Sequence, residues 1–478
     1  MLKKTSRLSS SASWNDLSFH PSLTLSTTHI ARLYKLFPPD RIYTDPVDCY
    51  AYAYDNTRKV FPPDAVVFPL SALEVQAAVK FGNETGIPLV PRGRGTGTSG
   101  GSLPESGGIA LSLERMVRVT KIDPANRVLV AEPGVINQTV QDIARRHGFF
   151  WPPDPSSAAF SSIGGNLATS AGGPRAVKYG TTRDHVLGVK AVTGKGQVIR
   201  TGCYTTKGVV GYDLTRLLIG SEGTLAVITE ATLKLTPLPQ ALGGVTAYYS
   251  DLAGCTDAIV RIMTLPQTPS ALEFLDAGSL NLIRSRFPGM LPADAHAMLM
   301  IEVDGTEHSV AESRNAVLSA CGGSGLIQAT PTADAATLWR ARKTLSPLLR
   351  DIAPKKINED VVVPVSALPE FLLGLTRLSA KHRLSNVNFG HAGNGNIHVN
   401  LLVNPDSTGE MQRAEMCLNE IFDLVIELNG TLSGEHGVGS EKRAYIGKEI
   451  DPVTMELMKE IKRVFDPNNI LNPGKLFP

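Results

Sequence analysis

The chain has 478 residues, 42% of them hydrophobic and 19% charged, with a net charge of +2. Such a length calls for two or more domains, and such a mixture is that of an ordinary globular enzyme. The near-neutral balance gives no electrostatic case for nucleic acid, and no apolar run approaches the ~18 residues that span a bilayer.

In chain order, residues 1–11 are basic and rich in serine, read as a frayed bacterial N-terminus in preference to a transit peptide. Residues 66–68 form a short strand. Ser71 and Glu74 carry a capping-box spacing that opens a helix closed by Gly86. Strands are expected at 87–91, 109–113 and 127–131. Asn137 is placed to cap the next helix, which Gly148 ends. Strand patterns then dominate at 186–192, 197–201 and 225–235, and the Thr-Pro-Leu-Pro run at 236–239 marks a boundary. Beyond it, a strand at 297–303 and a helix around 310–320 suggest a separate α+β cap. The five cysteines, at 49, 203, 255, 321 and 417, form no CxxC pair, which fits a reducing compartment and argues against an iron–sulfur cluster.

The most informative stretch follows the 87–91 strand: Gly93, Arg94, Gly95, Thr96, Gly97, Thr98, Ser99, Gly100 and Gly101. Glycines free the backbone to turn several N–H groups into one concavity, and such nests bind phosphate. Gly95, Gly97 and Gly100 also match the letters of a dinucleotide fingerprint, but that motif needs a helix directly after the loop. Here a Ser/Pro/Gly loop and another strand follow, so a nicotinamide Rossmann enzyme is set aside. A second cluster of small and hydroxyl residues runs from Trp151 to Gly173 and recurs at 179–184, 211–214 and 220–225, as suits a backbone wrapped around a long flat ligand.

With these motifs on view, the chain resembles the vanillyl-alcohol oxidase and p-cresol methylhydroxylase superfamily over residues 60–240 and on to the C-terminus. Within it, the chain is most similar to the branch of D-lactate, glycolate and D-2-hydroxyglutarate dehydrogenases. The resemblance implies an α+β fold: a PCMH-type FAD-binding domain of two subdomains at 59–238 after an N-terminal segment at 1–58, a substrate and metal cap at 239–430, and a C-terminal segment at 431–478 returning to the flavin domain. It implies that Arg92 to Gly101 cradle the FAD pyrophosphate. Asp154, Ser157, Ser161, Gly164, Gly165, Asn166, Gly172 and Tyr179 would line the rest of the cleft, with Glu222, Gly223 and Ile228 near the adenine half and Asn472 near the isoalloxazine ring. Some members hold FAD covalently through a histidine in the first glycine loop; no histidine lies between Tyr54 and Arg146, so non-covalent FAD is expected.

The second strong feature is the run Asn388 to Asn400, in which His391 and His398 flank a Gly/Asn turn. A hairpin-like reversal there could bring both imidazoles to one side. Imidazole suits zinc and other divalent first-row ions, and Gly434-Glu435-His436-Gly437 offers a carboxylate and a further imidazole. By resemblance, His391, His398 and Glu435 would bind the metal, zinc first with manganese or iron as alternatives, and His436 would be the base. The family often has Asp where this chain has Asn394. Arg342, favoured over Arg340, would anchor the substrate carboxylate, because a guanidinium matches that group with two prongs; Lys356 and Asn358 are further candidates for the substrate wall.

The expected activity is oxidation of a small D-2-hydroxy acid, of the D-lactate or glycolate type, to the 2-oxo acid. Electrons would pass to a quinone, a cytochrome or an electron-transfer flavoprotein and not to NAD. The rivals are an FAD-binding subunit active only in a larger complex, a D-2-hydroxyglutarate dehydrogenase, a metal-dependent hydrolase using the same His/Glu cluster, and a nicotinamide Rossmann enzyme, which NAD-coupled turnover would revive. A bacterial cytoplasmic location, peripheral at the inner membrane in one variant and mitochondrial in another, and a homodimer or partner subunits complete the expectations.

Overall fold

The computed structural model describes residues 25–332 and 335–478, so the basic start of the chain lies outside it. Three sheets carry the architecture. The first has four strands in the order Ile42–Tyr43, Ala65–Val67, Ile109–Ser112, Leu89–Arg92, with the last three parallel. The second is antiparallel, in the order Val119–Asp123, Val128–Ala131, Ala226–Lys234, Val186–Thr193, Val198–Gly202. The third has seven antiparallel strands: Leu326–Pro331, Ala241–Tyr249, Ala297–Gly305, Ala271–Leu275, Ser385–His391, Asn396–Val403 and Lys355–Val362.

The expected elements appear with their ends moved by a few residues, and the 310–320 helix becomes Glu307–Cys321. Between the parallel strands Leu89–Arg92 and Ile109–Ser112 the chain is loop, with no helix, which removes the dinucleotide reading on structural grounds. Helix Ala72–Thr85 starts as expected, with Ser71 Oγ accepting the Glu74 N–H, and stops at Gly86 in the left-handed region (φ 72°). The box is one-sided, however: Glu74 Oε2 accepts from the Leu70 N–H at 2.7 Å and from Arg41 Nη1 at 2.5 Å.

Asn137 corrects another expectation. It is the first residue of helix Asn137–Arg146, Ile136 takes the cap position, and no side chain caps the helix. The Asn137 amide is drawn inward because the buried Trp151 indole needs an acceptor. Its Oδ1 accepts from Trp151 Nε1 at 2.9 Å and from Asn166 Nδ2 at 3.0 Å, and its Nδ2 donates to the Pro153 carbonyl.

Two packing features place the site. In the seven-stranded sheet, side chains alternate between faces. Leu272, Phe274, Ile397, Val399 and Leu401 enter the main core, which leaves Glu273, His398 and Asn400 for the opposite face. The C-terminal stretch returns to the first sheet, where Leu471 bridges Leu89 in parallel, the Asn472 N–H donates to the Leu89 carbonyl at 2.8 Å, and Ile470 and Leu471 are buried in that core. Among the described residues no helix is long and apolar enough to cross a membrane.

Candidate active site

The glycine-rich loop and the histidine-bearing hairpin face each other across one cleft of about 730 Å³. Its first wall holds Arg92 to Ser99 and Gly101, with Ser157, Gly164, Gly165, Asn166, Glu222, Gly223 and Ile228. Opposite stand Arg342, Lys356, Asn358, Phe389, His398, Glu435 and His436. The loop is built for close approach. Gly95 has φ 65°, and a Cβ on Gly93 would meet Ser162 Oγ at 2.6 Å, while one on Gly97 would meet nothing within 4 Å. Arg92 is buried and braces the loop from behind, donating from Nη2 to the Tyr54 carbonyl at 2.6 Å and from Nη1 to Ser102 Oγ at 3.2 Å. The buried Thr98 hydroxyl has no partner within the chain, as suits a loop whose polar groups await a ligand.

Six expected flavin-contacting residues lie outside the cleft lining. Gly100 (φ 76°) backs onto Ser440, and Gly172 leaves room for Glu435, whose Oε2 lies 2.8 Å from where a Gly172 Cβ would be. The Tyr179 hydroxyl donates to Asp304 Oδ2 at 2.6 Å, tying the 171–180 segment to the third sheet. Asp154 is paired loosely with Arg175 at 3.8 Å, and burial raises its carboxyl to about 7. Ser161 is buried with its hydroxyl unpartnered. Asn472 donates from Nδ2 to the Gly101 and Glu222 carbonyls at 2.8 and 2.7 Å, so it locks the glycine loop to the C-terminal segment.

The hairpin geometry brings the two histidines to one side. Strands Ser385–His391 and Asn396–Val403 pair with Phe389 opposite His398 and His391 opposite Asn396, around a short 3-10 turn whose Gly395 has φ 73°. The rings of His391 and His398 lie edge to face at 5.2 Å, and His436 stacks on His398 at 5.3 Å. Glu435 Oε1 stands 3.3 Å from His391 Nε2 and 3.8 Å from His398 Nε2. Donors held at about 2.0–2.2 Å around a tetrahedral ion are roughly 3–3.5 Å apart, so Glu435 stands near ligand spacing from each of the two imidazoles. Among the described residues, the donors that all lie within 4.8 Å of one another belong to Asp360, His398, Glu435 and His436, a set without the expected ligand His391, which also lies outside the cleft lining. Asp360 is already engaged. Its Oδ2 accepts the N–H groups of Gly434, Glu435 and His436 at 3.0, 2.7 and 2.9 Å, and its Oδ1 accepts from Asn396 Nδ2 at 2.6 Å.

Electrostatics separates the two buried imidazoles. Burial alone would lower His391, but Glu273 and Glu435 on either side raise it to about 10. Burial and the neighbouring His391 charge push His398 well below its ordinary value, against the pull of Asp360. Burial would raise Asp360, yet His436, Lys442, His398 and the loop N–H groups together hold it low. A cation entering between His391 and Glu435 would take the place of the His391 proton, the usual coupling of metal binding to deprotonation. Of the three imidazoles His436 is the most open, with 24% of its side chain exposed.

Arg342 lies on helix Ala335–Ile352 with its guanidinium 4.4 Å from the Phe389 ring centre. Its Nε donates to Glu273 Oε2 at 2.7 Å, and Glu273 Oε1 accepts from His391 Nδ1. Arg340, on the same helix, is exposed. Lys356 Nζ donates to Ser346 Oγ at 2.5 Å; burial, aided by Arg350 and Arg58, lowers it to about 8. Asn358 Nδ2 donates to Asn400 Oδ1 at 2.7 Å.

Sequence reasoning passed over two acids that organise this site, Glu273 and Asp360, and did not foresee the clasp made by a third, Glu222. Expected near adenine, Glu222 lines the cleft but spends both carboxylate oxygens on the loop after His436. A signal was there for the first two, since Glu273 sits inside Ala-Leu-Glu-Phe-Leu and Asp360 directly before three valines. A charge in such a run must be paired if it is buried.

Comparison with known proteins agrees with this layout. Residues 63–202 match the FAD binding domain family, and residues 238–476 match the family described as FAD linked oxidases, C-terminal domain. The chain is 39% identical over 430 residues to glycolate oxidase subunit GlcD of Bacillus subtilis, covering 89% of this chain and 92% of that protein. It is 34% identical to D-2-hydroxyglutarate dehydrogenase of Stutzerimonas stutzeri and 34% identical to D-lactate dehydrogenase of Archaeoglobus fulgidus, in each case over 94% of this chain and 98% of the relative. Among solved structures, p-cresol methylhydroxylase with substrate bound superposes with a TM-score of 0.76 at 20% identity, over 95% of this chain and 97% of that one. The fold is therefore the PCMH-type arrangement with a mixed α/β cap.

Proposed function

This chain belongs to the FAD-linked oxidase family, and from that premise we propose that it is an FAD- and divalent-metal-dependent dehydrogenase of D-2-hydroxy acids. The substrate is of the D-lactate or glycolate type, the product is the 2-oxo acid, and the electrons leave to a quinone, a cytochrome or an electron-transfer flavoprotein. One observation carries the reading: a phosphate-type glycine loop, a His/Glu cluster and a buried arginine line a single cleft.

Bound FAD supplies the two-electron acceptor, and a divalent ion supplies an electrophile that makes the substrate hydroxyl more acidic. The chain's own residues do the rest. His391, His398 and Glu435 hold the ion. Arg342 has its Nε engaged by Glu273, and its two terminal nitrogens remain for the substrate carboxylate. His436, the most open imidazole, takes the hydroxyl proton as the C2 hydrogen departs as hydride. Its backbone is held by Asp360, so the base sits on a loop fixed by the same carboxylate that fixes Glu435.

The test is anaerobic bleaching of the flavin band of purified protein, near ~450 nm for a bound flavin, against a panel of D- and L-2-hydroxy acids. Bleaching by a D-acid supports the reading, and a flavin band that no acid bleaches overturns it. A second reading, an FAD-bearing subunit of a larger assembly, is favoured by the relatives named as glycolate oxidase subunits. Bleaching without turnover on any soluble acceptor would select it.

A further inference from the structure

Glu273 has no place among the groups that touch substrate or metal, yet it is fully buried and its two oxygens divide between two of them. It occupies the centre of strand Ala271–Leu275, where each residue is buried. The neighbouring strand is in register with Phe274 opposite Gly390 and Leu275 opposite Phe389, and continuing that register sets Glu273 across from His391. One oxygen accepts from His391 Nδ1 and the other from Arg342 Nε at 2.7 Å. Phe389, on the same sheet, supports the guanidinium from its flat side. The position of Arg342 is therefore set by a carboxylate at its Nε edge and a ring at its face.

We propose that Glu273 is a positioning residue that couples the ion site to the substrate anchor through this forked pair of hydrogen bonds. The inference rests on the function proposed above. By accepting from Nδ1, Glu273 fixes the His391 tautomer and turns Nε2 toward Glu435. By accepting from Nε, it aims the paired terminal nitrogens of Arg342 into the cleft. Because one rigid carboxylate serves both, a shift of either partner is felt by the other. Gln cannot replace it: its amide offers one acceptor atom and one donor atom, and both partners are donors.

The test uses the FAD-loaded full chain and Mn²⁺ as probe. Mn²⁺ affinity is measured by competition with a chelator, and KM for the hydroxy acid that bleaches the wild-type flavin is measured alongside. Glu273→Gln is expected to weaken Mn²⁺ by about 10- to 100-fold, the usual effect of losing a carboxylate behind a ligating histidine. It is also expected to raise KM by about tenfold or more, although Arg342 is intact. Arg342→Lys, which faces the cleft and touches no proposed ligand, is expected to weaken Mn²⁺ several-fold by releasing the second oxygen of Glu273. It decides the question if Glu273→Gln does not fold. A Glu273→Gln protein that changes only one of the two quantities, or an Arg342→Lys protein with wild-type Mn²⁺ affinity, would overturn the coupling while leaving the function intact. Wild-type protein that binds no divalent ion would overturn the metal reading and the fork together.

Discussion

Glu222 Oε1 accepts the N–H of Val438 at 2.7 Å, joining two positions 216 residues apart. Its other oxygen accepts the Gly439 N–H at 2.8 Å, in a loop where Gly437 and Gly439 both have positive φ. A residue of the cleft wall thus holds the backbone that carries His436.

That clasp has a pH signature. Burial raises Glu222 to about 7, with the two N–H groups opposing. Its carboxyl is raised above the unfolded value, so the folded protein binds the extra proton between about pH 4.5 and 7. Stability from this group is present below that window and falls through it, by at most about 1.4 kcal/mol per pH unit. The stability of wild type relative to Glu222→Gln should therefore fall as pH rises from about 4.5 to 7 and be flat above. Thermal unfolding of the two proteins across that range measures it, and a relative stability that rises with pH would refute the assignment.

Much of this was legible beforehand. The 3.6- and 2-residue periods located the strands and helices of residues 65–235 and a strand and a helix of the cap, and two histidines around a Gly/Asn turn could share one face of a hairpin, which the observed pairing of Phe389 with His398 gives them. Polar groups with competing partners were not legible. Asn137 reads as a cap in isolation, but a buried indole 14 residues on claims it. Glu273 and Asp360 are ordinary acids until the tertiary fold supplies His391 and Arg342 for one and three consecutive N–H groups for the other. Local sequence reports backbone preference; these roles depend on what the sheet brings opposite.

His436→Ala should leave FAD bound and slow anaerobic flavin reduction by about 10²- to 10⁴-fold, the range of a lost general base. The stack on His398 is a contact between rings that the change removes without adding charge. Stopped-flow absorbance with the bleaching substrate decides the matter: reduction at the wild-type rate would remove His436 from the proton transfer.

Arg342→Ala should raise KM about 10- to 100-fold, equivalent to the roughly 1.5–3 kcal/mol of a hydrogen bond to a charged group. It also leaves Glu273 buried with one oxygen unpaired, so a loss of stability of a few kcal/mol is expected beside the kinetic effect. Steady-state kinetics and thermal unfolding on the same preparation separate the two. An unchanged KM would place the carboxylate anchor elsewhere, with Lys356 next in line on the cleft wall.

Gly172→Ala tests how the two cofactor sites divide the cleft. The resemblance assigned Gly172 to the flavin, but a Cβ there would stand 2.8 Å from Glu435 Oε2 and 3.5 Å from Glu435 Cβ. Glu435 cannot retreat freely, because its backbone N–H is held by Asp360 at 2.7 Å, so the displacement falls on the carboxylate whose other oxygen faces His391 and His398. The variant should keep its flavin band and lose divalent ion, and its activity should fall to that of wild type treated with chelator. Added Mn²⁺ or Zn²⁺ should restore chelated wild type fully and the variant only at raised concentration, since its ligand is displaced and still present. Loss of flavin with retention of metal would return Gly172 to the flavin wall and remove it from the surroundings of Glu435.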